Sequence, residues 1–201
     1  MVIQTQQRYY TPEEYLELEE TVEHKSEYID GKIVPMAGAS LNHNRLILNF
    51  CLYFKPALRG KGYEVFMSDV RLWIARYRIY TYPDVMVIEG EPVLHENRND
   101  TVTNPLMIVE VLSKSTKNYD QGDKFDYYRS IPEFREYVLI DQYKVNVKHF
   151  AKTSERKWLL TEYESAETVL SLSALEFQIQ LSEIYEGIKF ENREEQLVSD
   201  G

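Results

Sequence analysis

Cysteine is nearly absent from this chain. Cys51 stands alone among 201 residues, so no internal disulfide can form and no cysteine cluster can hold zinc. A reducing cytoplasm is the expected compartment. No run approaches the roughly 20 apolar residues of a membrane span, and the opening residues, with Gln4, Gln6, Gln7 and Arg8, lack the apolar stretch of a secretory signal. The expectation is a soluble protein without a membrane partner. Glycine and proline are sparse, at 8 and 7 residues, with no block rich in either. That fits one compact domain over residues 1–192, ending in a flexible acidic tail over 193–201. The absence of a glycine-rich phosphate loop leaves an enzyme of small phosphorylated substrates unsupported.

Positive charge is also short: 23 basic against 33 acidic side chains give −10. Non-specific coating of nucleic acid rests on neutralising phosphates, and this balance argues against it. The deficit is segregated, however. Residues 1–30 carry two basic and eight acidic groups, residues 162–201 carry two and ten, and the middle carries nineteen and fifteen. A central +4 between ends totalling −14 leaves two readings open, a surface that meets a polyanion or two solvated acidic ends.

What is present is a series of amphipathic segments. Thr11-Pro12-Glu13-Glu14 is a helix start with a capping box. Asp30-Gly31 between two short apolar runs predicts a hairpin that carries Glu27 on its first arm. Leu46, Ile47, Phe50, Phe54 and Leu58 recur at helical spacing behind a Ser40 cap, with His43 in the first turn. A strand broken near Ser68-Asp69 is expected over 63–74, and another over 80–88 with Asp84 near its start. Residues 89–104 read as a connection. After the strand 105–113, cap-type residues open one helix to about Ser130, on which Asp120, Lys124 and Tyr128 share a face. Its bland reading is a surface ion pair between Asp120 and Lys124. A buried strand over 136–141, a hairpin near 145–160 and a short helix over 181–188 complete the expectation.

Glu110 is the residue that does not fit its surroundings. It lies inside the apolar run Pro105-Leu106-Met107-Ile108-Val109-Glu110-Val111-Leu112, where an unpartnered carboxylate costs several kcal/mol, about the penalty for burying an isolated charge. A second carboxylate, Asp84, borders another apolar strand. On neighbouring strands about 4.8 Å apart, two such groups suit Mg²⁺, which takes oxygen ligands and commonly binds one or two carboxylates and a phosphate. A nearby lysine would stabilise charge developing in a transition state.

In this order and at these spacings, EYIDG (27–31), His43, SDVRL (68–72), YPDVMVIEG (82–90), NPLMIVEVLSKST (104–116), YDQGDKFDYYRSIPEFREYVLID (119–141) and Trp158 resemble the Uma2-like proteins, the DUF820 domain, of the PD-(D/E)XK restriction-endonuclease-like superfamily. The resemblance runs from about Thr11 to Tyr185. It implies an α/β fold, a mixed central sheet flanked by helices, with an N-terminal helix and hairpin and a C-terminal β-hairpin and short helix. It also implies an endonuclease acting on nucleic acid, DNA first, in which Asp84 and Glu110 hold Mg²⁺ or Mn²⁺ and Lys124 supplies positive charge. Glu27 and His43 fall at accessory positions, and Asp69 and Asp120 at supporting ones; hydrogen bonding at hairpins and helix starts accounts for each of the four equally well. Tyr128 and Arg129 could orient a phosphate, or pack and face solvent. The sequence departs from the superfamily where Leu112 replaces the lysine expected two residues after Glu110, so Lys124 reads as a migrated replacement and Lys114 as a weaker one. A homodimer suits cleavage of two strands. The rival reading is a catalytically inactive nuclease scaffold acting in binding or assembly.

Overall fold

A computed structural model describes residues 8–96, 98–114 and 116–190; the expected tail at 193–201 lies outside them. Helix α1 (Pro12–Glu19) starts as its capping box dictates, with the Thr11 hydroxyl accepting from the Glu14 N–H and the Glu14 carboxylate accepting from the Thr11 N–H. Strands β1 (Ser26–Ile29) and β2 (Lys32–Pro35) form the hairpin. Its two-residue turn places Asp30 at φ 39° and Gly31 at φ 92°, which is why Asp-Gly serves there. Helix α2 (Leu41–Leu58) buries the five apolar residues whose spacing announced it.

Strands β3 (Tyr63–Met67) and β4 (Arg71–Ile74) follow, then β5 (Ile79–Thr81) and β6 (Val85–Glu89). Here the sequence expectation needs correction. Each expected long strand is two strands in two different sheets: β3 and β6 join one, β4 and β5 the other. Alternation reports which side chains share a face, not which sheet the backbone bonds to. At the second crossing Pro83 lacks the N–H a ladder requires. Within the expected connection 89–104 lies a two-residue strand, β7 (Thr101–Val102), parallel to β4.

Strand β8 (Met107–Leu112) is buried along its whole length, as is β9 (Glu136–Asp141), its parallel neighbour. Between them the single expected helix is two short ones, α3 (Lys117–Gln121) and α4 (Asp123–Tyr128), broken at Gly122. Strands β10 (Val147–Lys152) and β11 (Trp158–Tyr163) make the later hairpin and extend the sheet of β9. A second hairpin, β12 (Val169–Leu172) with β13 (Phe177–Gln180), was not expected, and helix α5 (Leu181–Ile184) ends four residues earlier than predicted.

Among the described residues the main sheet runs β11-β10-β9-β8-β6-β3 and the second runs β2-β1-β5-β4-β7. The main sheet is mixed. One of its faces packs Val109, Val111, Val138 and Ile140 against α2, the β12–β13 hairpin and α5. On the other, Ile108, Leu112, Tyr137 and Leu139 meet Tyr128 of α4 and Leu72, Ile74 and Ile79 of the second sheet. Helix α1 covers the far side of that second sheet through Tyr15, Leu16, Tyr28 and Tyr80. Glu110 shares the parity of Ile108 and Leu112, so it points into the layer between the two sheets.

Candidate active site

Register brings the two carboxylates together. Strands β6 and β8 are antiparallel with Val85 opposite Val109, so Asp84, immediately before β6, stands opposite Glu110. The Asp84 N–H points at Glu110 Oε2 across 3.4 Å, and the Val111 N–H donates to Asp84 Oδ2 at 2.7 Å. Asp84 is therefore fixed by the edge of β8 rather than by a strand of its own. Its other oxygen, Oδ1, lies 3.0 Å from His43 Nε2. The first turn of α2 carries that imidazole, and the Ser40 cap that receives the His43 N–H at 3.1 Å fixes the turn.

Helix α4 supplies the amine. Lys124 Nζ lies 3.0 Å from Glu110 Oε1, 3.4 Å from Glu27 Oε1 and 3.5 Å from Asp120 Oδ1. The Tyr128 hydroxyl donates to the same Glu110 Oε1 at 2.7 Å. Glu27 reaches in from β1 and also accepts from the Thr81 hydroxyl on β5. Glu27, Glu110, Asp120 and Lys124 are all buried, whereas the Asp84 and His43 side chains keep 16% and 15% of their surface. Solvent thus reaches this cluster from the Asp84 and His43 side.

The charges are unequal: one ammonium serves three buried carboxylates with a fourth close by. Burial pushes the Glu110 carboxyl up to about 8; Lys124 opposes the shift, while Asp84 and Asp120 add to it. Asp120 is raised too, burial again leading, and its Oδ1 has no hydrogen-bond partner. Burial favours a neutral Lys124, but Glu110 and the surrounding Tyr128, Glu27 and Asp120 hold the ammonium charged well above its usual range. Such a cluster is short of positive charge.

Of the residues singled out from the sequence, the structure gathers Glu27, His43, Asp84, Glu110, Asp120, Lys124 and Tyr128. Asp120 with Lys124 is a buried pair, not the surface pair of the bland reading. Asp69 is not gathered: its side chain is 83% exposed and pairs with Lys25. Arg129 is half-exposed beside Asp126. Lys114 follows the end of β8 and is exposed. Sequence reasoning missed Thr81, whose contact exists only because the second sheet lies over the first. It also missed Tyr119, whose ring stands 5.7 Å from Lys124 Nζ. Tyr119 adjoins Asp120, and that adjacency was the available signal.

The profile of the Uma2 family, described as "Putative restriction endonuclease", matches residues 12–182. The chain belongs to the Uma2 family. It is 49% identical over 163 residues to the Synechocystis sp. protein sll1609, covering 80% of this chain and 92% of that one. It is 35% identical over 182 residues to slr1290 of the same organism, covering 90% and 93%. A solved structure described as "a putative nuclease belonging to DUF820", from Anabaena variabilis, has the same fold at a TM-score of 0.73 and 16% identity, covering 90% of this chain and 99% of that one.

The donor set of this Uma2 chain suits a hard cation. Asp84 and Glu110 offer only oxygens, and Glu110 Oε2 has no partner nearer than the 3.4 Å contact to the Asp84 N–H. Among the described residues no three His, Cys, Asp or Glu side chains are arranged as a metal cage. Two carboxylates are a donor set of the kind Mg²⁺ takes, with water and a phosphate filling its remaining positions.

Proposed function

We propose that this Uma2 protein is a metal-dependent endonuclease that hydrolyses phosphodiester bonds of nucleic acid, DNA in the first instance, with Asp84 and Glu110 holding Mg²⁺ or Mn²⁺. The observation that carries the reading is the 3.0 Å contact between Lys124 Nζ and Glu110 Oε1. An amine delivered by α4 stands beside the carboxylate whose own strand offers only Leu112 at the expected lysine position. A bound divalent cation would supply Lewis acidity and a lowered water pKa.

The chain's own groups do the remaining work. Asp84 is clamped between the Val111 N–H and His43, which fixes its orientation toward the opening. Tyr128 and Lys124 hold Glu110 through one oxygen and leave Oε2 toward Asp84. In this reading Lys124, beside Glu110, offsets negative charge gathering on a phosphate bound at that opening. Burial of Glu27, Glu110 and Asp120 lowers the local dielectric and strengthens each of these interactions.

Cleavage of a plasmid or labelled oligonucleotide by Asp84→Ala, Glu110→Ala and Lys124→Met, in Mg²⁺ and in Mn²⁺, tests the proposal. Each substitution is expected to lower the rate about 10²-fold or more, as removal of one charge-stabilising group does elsewhere. Unchanged cleavage in the two carboxylate variants would sink the metal role. The single cysteine fits work in a reducing cytoplasm, and paired cuts in a duplex suit a two-fold dimer, which light scattering would reveal.

A second reading has one observation in its favour. All four carboxylate oxygens of Asp84 and Glu110 already have partners within the chain, Glu110 Oε2 through the 3.4 Å contact to the Asp84 N–H, as in a scaffold kept for binding or assembly. Calorimetry separates the two: Mg²⁺ or Mn²⁺ uptake that disappears in Asp84→Ala supports the enzyme, and no uptake supports the scaffold.

A further inference from the structure

Beyond the buried cluster, the carboxyl ends of the parallel strands β8 and β9 carry a group of residues that the proposed chemistry does not use. Lys114 lies in the turn after β8, four residues beyond Glu110. Tyr143 and Lys144 lie in the turn after β9. Tyr143 is held at both ends: its N–H donates to Asp141 Oδ1 at 2.8 Å, and its hydroxyl accepts the Lys114 N–H at 3.3 Å. The ring is nonetheless 42% exposed, and the Lys114 ammonium stands 5.4 Å from its centroid.

The charge here is positive. Lys117, 44% exposed at its side chain, pairs with the buried Asp141 at 3.0 Å. Among the described residues no carboxylate lies within ion-pair distance of Lys114 or Lys144. A chain with net charge −10 thus keeps unpaired lysines around a fixed, half-bare aromatic ring. The shelf is tied to the catalytic opening through Gln142. That amide donates to Leu112 O at 2.8 Å and receives the hydroxyl of Ser40, the cap of the helix that carries His43.

We infer that this shelf binds a single-stranded segment of nucleic acid beside the catalytic opening, with a base on Tyr143 and backbone phosphates at Lys114 and Lys144. Lysine neutralises phosphate and releases counterions. An exposed ring that is already immobilised offers a stacking surface to any base. The place is also the one where ligands gather on sheets with parallel strands, outside their carboxyl ends. The inference rests on the nuclease reading for the identity of the polymer, and it adds the strand state and the contact residues.

The test is fluorescence anisotropy of a labelled 12-nucleotide DNA, an RNA of equal length and a duplex, in EDTA to stop cleavage, with thermal melting to check each variant's folding. The parent should bind the single strands more tightly than the duplex, and the affinity ratio of DNA to RNA then names the polymer. Lys114→Ala and Lys144→Ala should each flatten the slope of log affinity against log salt by about 0.7, the single-strand increment per phosphate. Tyr143→Leu should weaken binding about tenfold, the scale of one stacked base, with the slope unchanged. Folded variants that bind like the parent would overturn the shelf while leaving the nuclease reading in place. Duplex binding insensitive to Tyr143→Leu but tighter than single-strand binding would overturn the strand assignment. A parent that binds no oligonucleotide would overturn both, and one that binds without cleaving in Mg²⁺ would remove only the catalysis.

Discussion

Glu110 is held toward its neutral acid form. Its carboxyl is raised from the ordinary 4.5 to about 8, chiefly by burial. A carboxyl raised in the folded state contributes stability that is complete below its unfolded pKa and is lost as pH rises through the folded one. The metal-free protein should therefore lose stability between about pH 4.5 and pH 8 through this group. Glu110→Gln, which copies the neutral form, should remove that component. Thermal melts at both ends of the window test it: the variant is expected to gain on the parent as pH rises, and a constant difference would refute the assignment. Tyr128→Phe withdraws the hydroxyl that donates to Glu110 Oε1, at a cost of about 1.5–3 kcal/mol for a hydrogen bond to a charged group. Because that bond lowers the Glu110 pKa, its loss should move the acid limb of any pH–rate profile toward alkaline pH.

At the scale of elements, small local devices set the geometry. Ser40 caps α2 through the His43 N–H and touches Gln142. Ser40→Ala should cost about 1 kcal/mol, as cap losses do, and it should reduce catalysis more than a stability loss of that size explains, because His43 rides on the capped turn. Melting together with a rate measurement separates the two effects. Gly31 has φ 92°, and a Cβ there would overlap the Tyr9 ring. Gly31→Ala should destabilise by about 1–3 kcal/mol, the usual range for a residue forced into sparsely populated backbone. Much at this scale was legible beforehand. The capping box, the Asp-Gly hairpin, the α2 stripe and the β8 strand announce themselves through local chemistry that the structure repeats. The passage from β5 to β6 did not, since apolar and aromatic residues stand on both sides of the crossing between Tyr80 and Ile88 and only Pro83 hinted at a break. Gly122 divides α3 from α4, yet Asp120, Lys124 and Tyr128 still meet the same cluster. The shared face was therefore readable although the helix was not continuous. The β12–β13 hairpin escaped notice although Leu170, Leu172, Phe177 and Ile179 alternate with polar residues, because each arm is four residues long and carries the pattern over only two buried positions.

For the whole molecule, the two sheets enclose the charged cluster between them. A site short of positive charge should gain stability from a divalent cation by mass action. At a concentration 100 times its dissociation constant, the gain is about 2.7 kcal/mol, or roughly 5–11 °C in melting temperature for a chain of this length. Mg²⁺ titrated during thermal melting is expected to give such a shift in the parent and none in Asp84→Asn/Glu110→Gln. An equal shift in both would place the ion elsewhere.

The crossing at Pro83, where the chain leaves one sheet and enters the other, also orders events in time. Glu27 belongs to a hairpin of the second sheet, Glu110 to the middle of the first, and Lys124 and Tyr128 to the helix that follows it. A growing chain holds no complete set until residue 128 has emerged and both sheets have closed on one another. A ribosome releasing truncated copies, or a protease trimming the polypeptide short of α4, would leave fragments with no assembled centre.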